Sequence, residues 1–355
     1  MKVVRGILFI LNLLLAVGLL LTTVAGGVSP SQSVLPSLAA YAYLPLLAAN
    51  VLMVVVWLLM GRWEALLSVA AVAVRWSTLV AYLQVGGIAR VPDRERHPEM
   101  LTLMTYNVHQ FRGPDVQKNQ GDTVAMGFLG LVREQLPDVL CLQEFARVKH
   151  VDVVDSLELM GYNHYYGTRQ ATAGDPYGTV VFSRLPITYV TRLDNKKLLV
   201  ELLCGERKVR VCCIHMDSYR FDDADREEIE RARHGEVDNG IRATLGKVKS
   251  TILNHEKEWN ERLRPVVQQS TVPLVVAGDM NDIPSSWLYC RLSDELRDCF
   301  RDQGWGIGPT YLGGFPQFRI DMVFHSEMLH TLSYRRLKCN LSDHYPVMTS
   351  MEFVE

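Results

Sequence analysis

The segment Val275-Val276-Ala277-Gly278-Asp279-Met280-Asn281-Asp282 carries the first residues able to do chemistry. Residues 273–277 read as a buried strand that stops at a glycine and presents Asp279 and Asn281. Two positions apart, an extended continuation would point both side chains to the same side. A carboxylate beside a carboxamide, just past a strand end, suits water activation and metal or phosphate binding. Asp and Asn after Gly are also ordinary turn residues, so this stretch acquires meaning only from what matches it elsewhere.

Four other stretches match. Thr105-Tyr106-Asn107-Val108 follows an apolar run, and Leu140-Cys141-Leu142-Gln143-Glu144 ends another. Arg319-Ile320-Asp321-Met322-Val323-Phe324 opens a third, and Ser342-Asp343-His344-Tyr345-Pro346-Val347 closes the set. Each puts an acid, amide or imidazole at the edge of a strand-like segment. Taken in this order with Gly278-Asp279-Met280-Asn281, the series resembles the endonuclease/exonuclease/phosphatase superfamily over residues 98–355. That family includes deoxyribonucleases, abasic-site endonucleases, neutral sphingomyelinases and inositol-polyphosphate phosphatases.

The resemblance implies roles. Glu144 would be the principal ligand of one Mg²⁺ or Mn²⁺, since hard cations take carboxylate oxygens plus waters. Asn107 would hold a phosphate oxygen or a metal-bound water, and Asp343 would help to organise metal or water. Asp279 would orient or deprotonate the attacking water, and Asn281 would hydrogen-bond the phosphate. His344 would stabilise charge on the phosphoryl oxygens or act as base, with Asp321 orienting its imidazole. For Asp321 the bland alternative is a strand residue paired with Arg319. His215 matches a histidine of the deoxyribonuclease and sphingomyelinase branches that binds phosphate or helps the leaving oxygen depart. The Met216-Asp217-Ser218 that follows departs from the usual context. Arg242, on a charged helical segment, either faces the site or is a surface arginine. Tyr177-Gly178 falls in a region that often touches substrate, and core packing explains it equally well.

The elements that must position these groups follow from composition. Of 355 residues, the first 89 contain only Lys2, Arg5, Arg62, Glu64 and Arg75 as charged groups. The remainder holds 33 Lys+Arg (37 less four) and 38 Asp+Glu (39 less one), a net of −5. A mildly acidic domain needs local basic patches to hold nucleic acid. The seven cysteines all lie after residue 140, with no C-x-x-C spacing and no cystine framework. Residues 6–24 are long and apolar enough to span a bilayer; a cleaved signal peptide is the alternative. Residues 38–60 form a second span, with Pro45 inside it, and residues 65–85 a third. Arg75 near the middle of the third is costly in lipid unless it snorkels or faces other helices, so an interfacial or re-entrant segment is the other reading. Lys2, Arg5 and Arg62 favour a cytoplasmic N-terminus, whereas Arg90, Arg94 and Arg96 argue the other way.

The expected organisation is therefore a membrane region of about three transmembrane helices (1–89), a linker (90–99) and a catalytic domain (100–355). Strands alternating with helices and hairpins indicate a mixed α/β domain. The resemblance sharpens this to a four-layer α/β sandwich of two packed, mainly antiparallel sheets with helices outside. Residues 222–269 read as surface helices interrupted near 235–240. The implied activity is metal-dependent hydrolysis of a phosphodiester. It belongs either to a membrane-anchored nuclease or to a sphingomyelinase-like lipid headgroup hydrolase, with a phosphoinositide phosphatase or an inactive binding domain behind them. The partners are then a nucleic acid or phospholipid substrate and the bilayer; no protein partner is indicated. The expected location is an integral membrane protein with an extracytoplasmic catalytic domain.

Overall fold

The computed structural model of the chain describes residues 2–87, 92–114, 120–170, 176–219, 239–313 and 317–354. These fall into two compact units: Met1–Ala81 with Asp217–Asn260 and Ile283–Arg291, and Tyr82–Met216 with Glu261–Asp282 and Leu292–Glu355.

The first unit begins with a helix, Lys2–Leu21, continued by Val24–Gly27. Together they form a 26-residue span, about 39 Å at 1.5 Å per residue, enough for a hydrocarbon layer of about 30 Å. The expected second span is broken. Helices Val34–Ala40 and Tyr43–Leu59 meet at 53°, and Pro45 lies in the first turn of the latter, where a missing N–H costs nothing. The third is broken at Arg75, where Ala65–Val74 and Trp76–Tyr82 meet at 73°. The Arg75 guanidinium lies 5.3 Å over the Tyr43 ring, so the charge sits at a bend against an aromatic face. One helix is thus long and apolar enough to cross a membrane, or up to three segments if each bent pair is one span. The helices are tied by polar groups: Ser68 Oγ lies 2.6 Å from Asn12 Oδ1 and 2.8 Å from Asn50 Oδ1, and Arg5 pairs with Glu64.

The same unit contains the helix Asn239–Glu258. Glu256 accepts bonds from Ser29 Oγ, Ser31 N and Ser31 Oγ. Arg291 donates to the Gly26 carbonyl at 2.8 Å and Ser285 to that of Ala40 at 2.9 Å. Within the charged segment at 222–269, Glu256 is thus bonded to the loop after the first apolar helix. Residues 222–238 of that segment lie outside the described residues.

The second unit holds a short antiparallel pair, Leu83–Gln84 with Gly306–Ile307, and two six-stranded sheets. In chain order the strands are β1 Leu101–Asn107, β2 Val139–Phe145, β3 His164–Gln170, β4 Pro176–Ser183, β5 Ile187–Arg192, β6 Lys197–Cys204, β7 Arg207–His215, β8 Leu274–Asp279, β9 Arg297–Asp298, β10 Asp321–His325, β11 Leu329–Arg336 and β12 Val347–Phe353. One sheet runs β11-β12-β1-β2-β4-β3, the other β9-β10-β8-β7-β6-β5. All neighbours are antiparallel except β1–β2 and β7–β8. The period-2 rule sorts β1: Leu101 and Leu103 face the other sheet with Val200, Val211, Val275 and Val323. Met104 and Tyr106 face outward, under Phe128 and Val132 of the helix Gly121–Gln135. This is the expected α/β sandwich of two mainly antiparallel sheets with helices outside. Among the cysteines, Cys141 and Cys213 are wholly buried between the sheets as free thiols.

Candidate active site

Each sheet has one parallel pair near its centre, and a parallel pair brings two C-terminal strand ends side by side. In one sheet this aligns Asn107 with Gln143, next to Glu144. In the other it aligns His215 with Asp279, and antiparallel β10 places Asp321 opposite the same Asp279. Three chemically active side chains thus share one register level across adjacent strands.

Two backbone irregularities aim the groups. Glu144 has φ +53°, where the β2–β4 register slips between Leu142 and Phe145. A bulge with a left-handed residue turns its side chain out of the sheet alternation. Its carboxylate is 29% exposed, against 1% for Asp279. Gly278 has φ +150°, and a Cβ there would overlap the Ile214 carbonyl oxygen on the neighbouring parallel strand. Only glycine lets β8 carry Asp279 this close to β7.

Asn107 joins the two sheets. Its Nδ2 lies 3.0 Å from Asp279 Oδ2 and 3.3 Å from Glu144 Oε1, and its Oδ1 accepts the His109 N–H. His344 Nδ1 is 2.8 Å from Asp321 Oδ2, and its Nε2 is 3.8 Å from Asp279 Oδ2. His215 Nε2 stands 3.8 Å from Glu144 and 3.9 Å from Asp279. Burial alone would lower the His344 pKa, but the Asp321 and Asp279 carboxylates outweigh it and push the imidazole up to about 10. Burial pushes His215 down to about 4, against the pull of Asp279. Burial, then the charge of Asp321, raises Asp279. At neutral pH the site therefore holds one charged and one neutral imidazole.

Two expectations change. Asn281 does not continue an extended strand: it takes φ +47°, its N–H bonds Asp279 Oδ1 at 2.8 Å, and its side-chain amide donates to the Met216 carbonyl at 3.0 Å. The turn reading of Asp-x-Asn is thus the geometry, with one of the two amide N–H donors committed. The Arg319 alternative for Asp321 also falls, because Arg319 pairs with Asp298 at 2.6 Å. The carboxylate of Asp343 meets His109 and Ser342, at 3.3 and 3.2 Å, and none of its described contacts is with Glu144. Arg242 lies on the helix Asn239–Glu258, but its side chain is outside the described residues. Tyr177 is exposed beside a cavity that Glu144 and His215 also line.

Several supporting residues went unread in the sequence. Ser342 Oγ donates to the Asn107 carbonyl at 2.8 Å and accepts the His344 N–H at 3.2 Å. Thr310 Oγ1 accepts the N–H groups of Ile320 and Asp321. The Tyr311 ring lies 5.0 Å from that of His344. Ser342 carried a signal, being two residues before His344 in a turn-forming sequence; Thr310 and Tyr311 carried none.

For a hard divalent cation, the donors that fit are the Glu144 carboxylate, the most accessible in the site, and the Asn107 amide oxygen, which keeps a second lone pair. Asp279, Asp321 and His344 also offer ligand atoms within 4.8 Å of one another, but His344 Nδ1 is already hydrogen-bonded to Asp321. What the arrangement offers is a carboxylate of raised basicity, a charged imidazole and an accessible hard-donor corner at one cluster of strand ends.

The sequence profile of the Endonuclease/Exonuclease/phosphatase family matches residues 104–344, and the chain belongs to that family of divalent-metal-dependent phosphoester hydrolases. A second profile, for a domain of unknown function (DUF8431), matches residues 5–82. No curated protein matches the chain. Similar solved structures include an endonuclease/exonuclease/phosphatase from Beutenbergia cavernae, 22% identical over 72% of this chain and 72% of that one, with a TM-score of 0.48. The human Nocturnin catalytic domain with bound sulfate is 17% identical, covering 72% and 94%, TM-score 0.49. TDP2 from Caenorhabditis elegans is 15% identical, covering 74% and 77%, TM-score 0.46.

Proposed function

We propose that the protein is a membrane-anchored phosphodiesterase of nuclease type that uses Mg²⁺ or Mn²⁺ and activated water. The observation that carries this reading is the Asn107 amide bridging Glu144 on one sheet and Asp279 on the other, beside the Asp321–His344 pair. Glu144 and Asn107 would hold the cation, which when bound supplies charge neutralisation at the phosphoryl oxygens, with Asp343 ordering water behind them. Asp279 orients the attacking water and takes its proton; burial makes it a stronger base than a free carboxylate. The water oxygen bonds to phosphorus in line as the bond to the leaving oxygen breaks, and that oxygen leaves with the bonding pair and takes a proton from solvent. His344, held as an imidazolium by Asp321, stabilises the charge on the phosphoryl oxygens rather than acting as base. His215, neutral at pH 7, and the remaining N–H of Asn281 hydrogen-bond the phosphate.

Residues 1–89 serve as the membrane region, linked through 90–99 to the catalytic domain at 100–355. An extracytoplasmic catalytic domain is supported within the first unit. Lys2, Arg5 and Arg62 mark one end of the helices. At the other end of the first apolar helix, Arg291 is bonded to Gly26 and Glu256 to Ser31 in the loop that follows. The test is hydrolysis of bis(p-nitrophenyl) phosphate by the full-length protein in nanodiscs, followed by a panel of DNA, RNA, sphingomyelin and phosphoinositides. Mg²⁺ or Mn²⁺ should support turnover and chelation abolish it; full activity after exhaustive EDTA treatment would sink the mechanism.

A further inference from the structure

Two cavities share Phe145, the residue after Glu144. One, of about 130 Å³, is lined by Glu144 and His215 and also by Arg169, Tyr177 and Lys196. The other, of about 260 Å³, is lined by the loop that leaves β2, including Arg147, Lys149 and His150. A chain with a net acidic catalytic part thus gathers cations beside the most accessible carboxylate of the site.

These cations are held near the site by backbone pairing. Lys196 offers its carbonyl to the His215 N–H at 3.0 Å and to Thr179 Oγ1 at 2.9 Å, which fixes its Cα beside the site histidine. Arg169 is the direct cross-strand partner of Tyr177, and opposed residues of an antiparallel pair project to the same face. Gly178, at φ +84°, would bring a Cβ to 3.0 Å from Thr168 Oγ1, so this wall needs its glycine. Arg147 and Lys149 lie three and five residues past Glu144, and the His150 N–H is anchored on Asp122. Tyr177 supplies an exposed ring.

Cations spaced along a path beside a ring are what an extended polyanion of phosphates and planar bases needs. We propose that Arg147, Lys149, Arg169 and Lys196 form a track for a nucleic-acid strand of several nucleotides, with Tyr177 stacking a base, on either side of the phosphodiester to be cut. This rests on the phosphodiesterase reading above and assigns its substrate class.

The experiment measures fluorescence anisotropy of a fluorescein-labelled twelve-nucleotide single strand and of a labelled mononucleotide. The full-length protein is held in phosphatidylcholine nanodiscs with Mg²⁺, carrying Asp279→Asn to stop turnover. Four phosphate contacts give a slope of log K against log salt of about −3, or roughly fifty-fold weaker binding from 50 to 200 mM. Arg147→Ala/Lys149→Ala and Arg169→Ala/Lys196→Ala should each lower that slope by about 1.4, and the twelve-mer should outbind the mononucleotide at least tenfold. Equal affinity for the two lengths overturns the track, as does a slope unchanged in both double variants. A twelve-mer displaced by phosphatidylglycerol vesicles but binding no better than the mononucleotide also overturns it, in favour of a lipid headgroup. Hydrolysis of bis(p-nitrophenyl) phosphate by the wild-type chain is followed in parallel. Metal-dependent turnover there leaves the phosphodiesterase reading intact whatever the strand does, so the two failures are distinguishable.

Discussion

The Asp321–His344 pair offers the sharpest test of the site. Asp321→Asn keeps the shape of the side chain and removes a full charge 2.8 Å from the imidazole in a buried setting. The His344 pKa should fall from about 10, and the ring loses its best-aimed acceptor. A charge-stabilising or acid–base group typically supplies about 10²–10⁴ in rate, equivalent to about 3–5 kcal/mol of transition-state stabilisation. We expect kcat on bis(p-nitrophenyl) phosphate at saturating Mg²⁺ to fall within that range for Asp321→Asn, with the melting transition retained. His344→Ala should fall as far or further. Because both changes disable one unit, the double variant should lose little beyond the worse single. Independent action would instead multiply the losses, to about 10⁴–10⁸. A double loss equal to that product, or an imidazole NMR titration unmoved by Asp321→Asn, would refute the pairing while leaving the metal corner standing.

Other outcomes follow from the same geometry. His344 has a folded pKa raised above its ordinary 6.5, so its stabilising contribution is complete below about pH 6.5 and is lost as pH rises towards 10. The Tm should therefore drop between pH 7 and 10, and drop less in Asp321→Asn; equal drops would remove this linkage. Gly278→Ala forces a Cβ against the Ile214 carbonyl at φ +150° and should cost about 1–3 kcal/mol in urea unfolding; a neutral result would mean that β7 and β8 can part cheaply. Glu144→Gln should raise the Mg²⁺ concentration needed for half-maximal turnover, and an unchanged metal requirement would move the cation elsewhere. A reporter fused after Glu355 should behave as extracytoplasmic, and a cytoplasmic signal would mean that the segment bent at Arg75 does not cross.

Much of the site was legible because its residues sit at strand ends, and strand ends announce themselves locally. An apolar run stops and a polar group follows, as at Asn107, Glu144, His215 and Asp279. Apolar length alone likewise marked the first helix. Tertiary structure decided what depends on pairing between distant segments. That His215, Asp279 and Asp321 share one level follows from the register of β7, β8 and β10, set by partners more than forty residues apart in the chain. The left-handed turn at Glu144 follows from a slip against β4, and the amide of Asn281 is drawn to the Met216 carbonyl instead of along a strand. The protonation states were equally hidden, since a histidine's charge is set by what the fold places around it: for His344 the charges of Asp321 and Asp279 outweigh burial, and for His215 burial outweighs the charge of Asp279. Chain order supplied the chemical groups, and the meeting of two sheets decided their distances and charges.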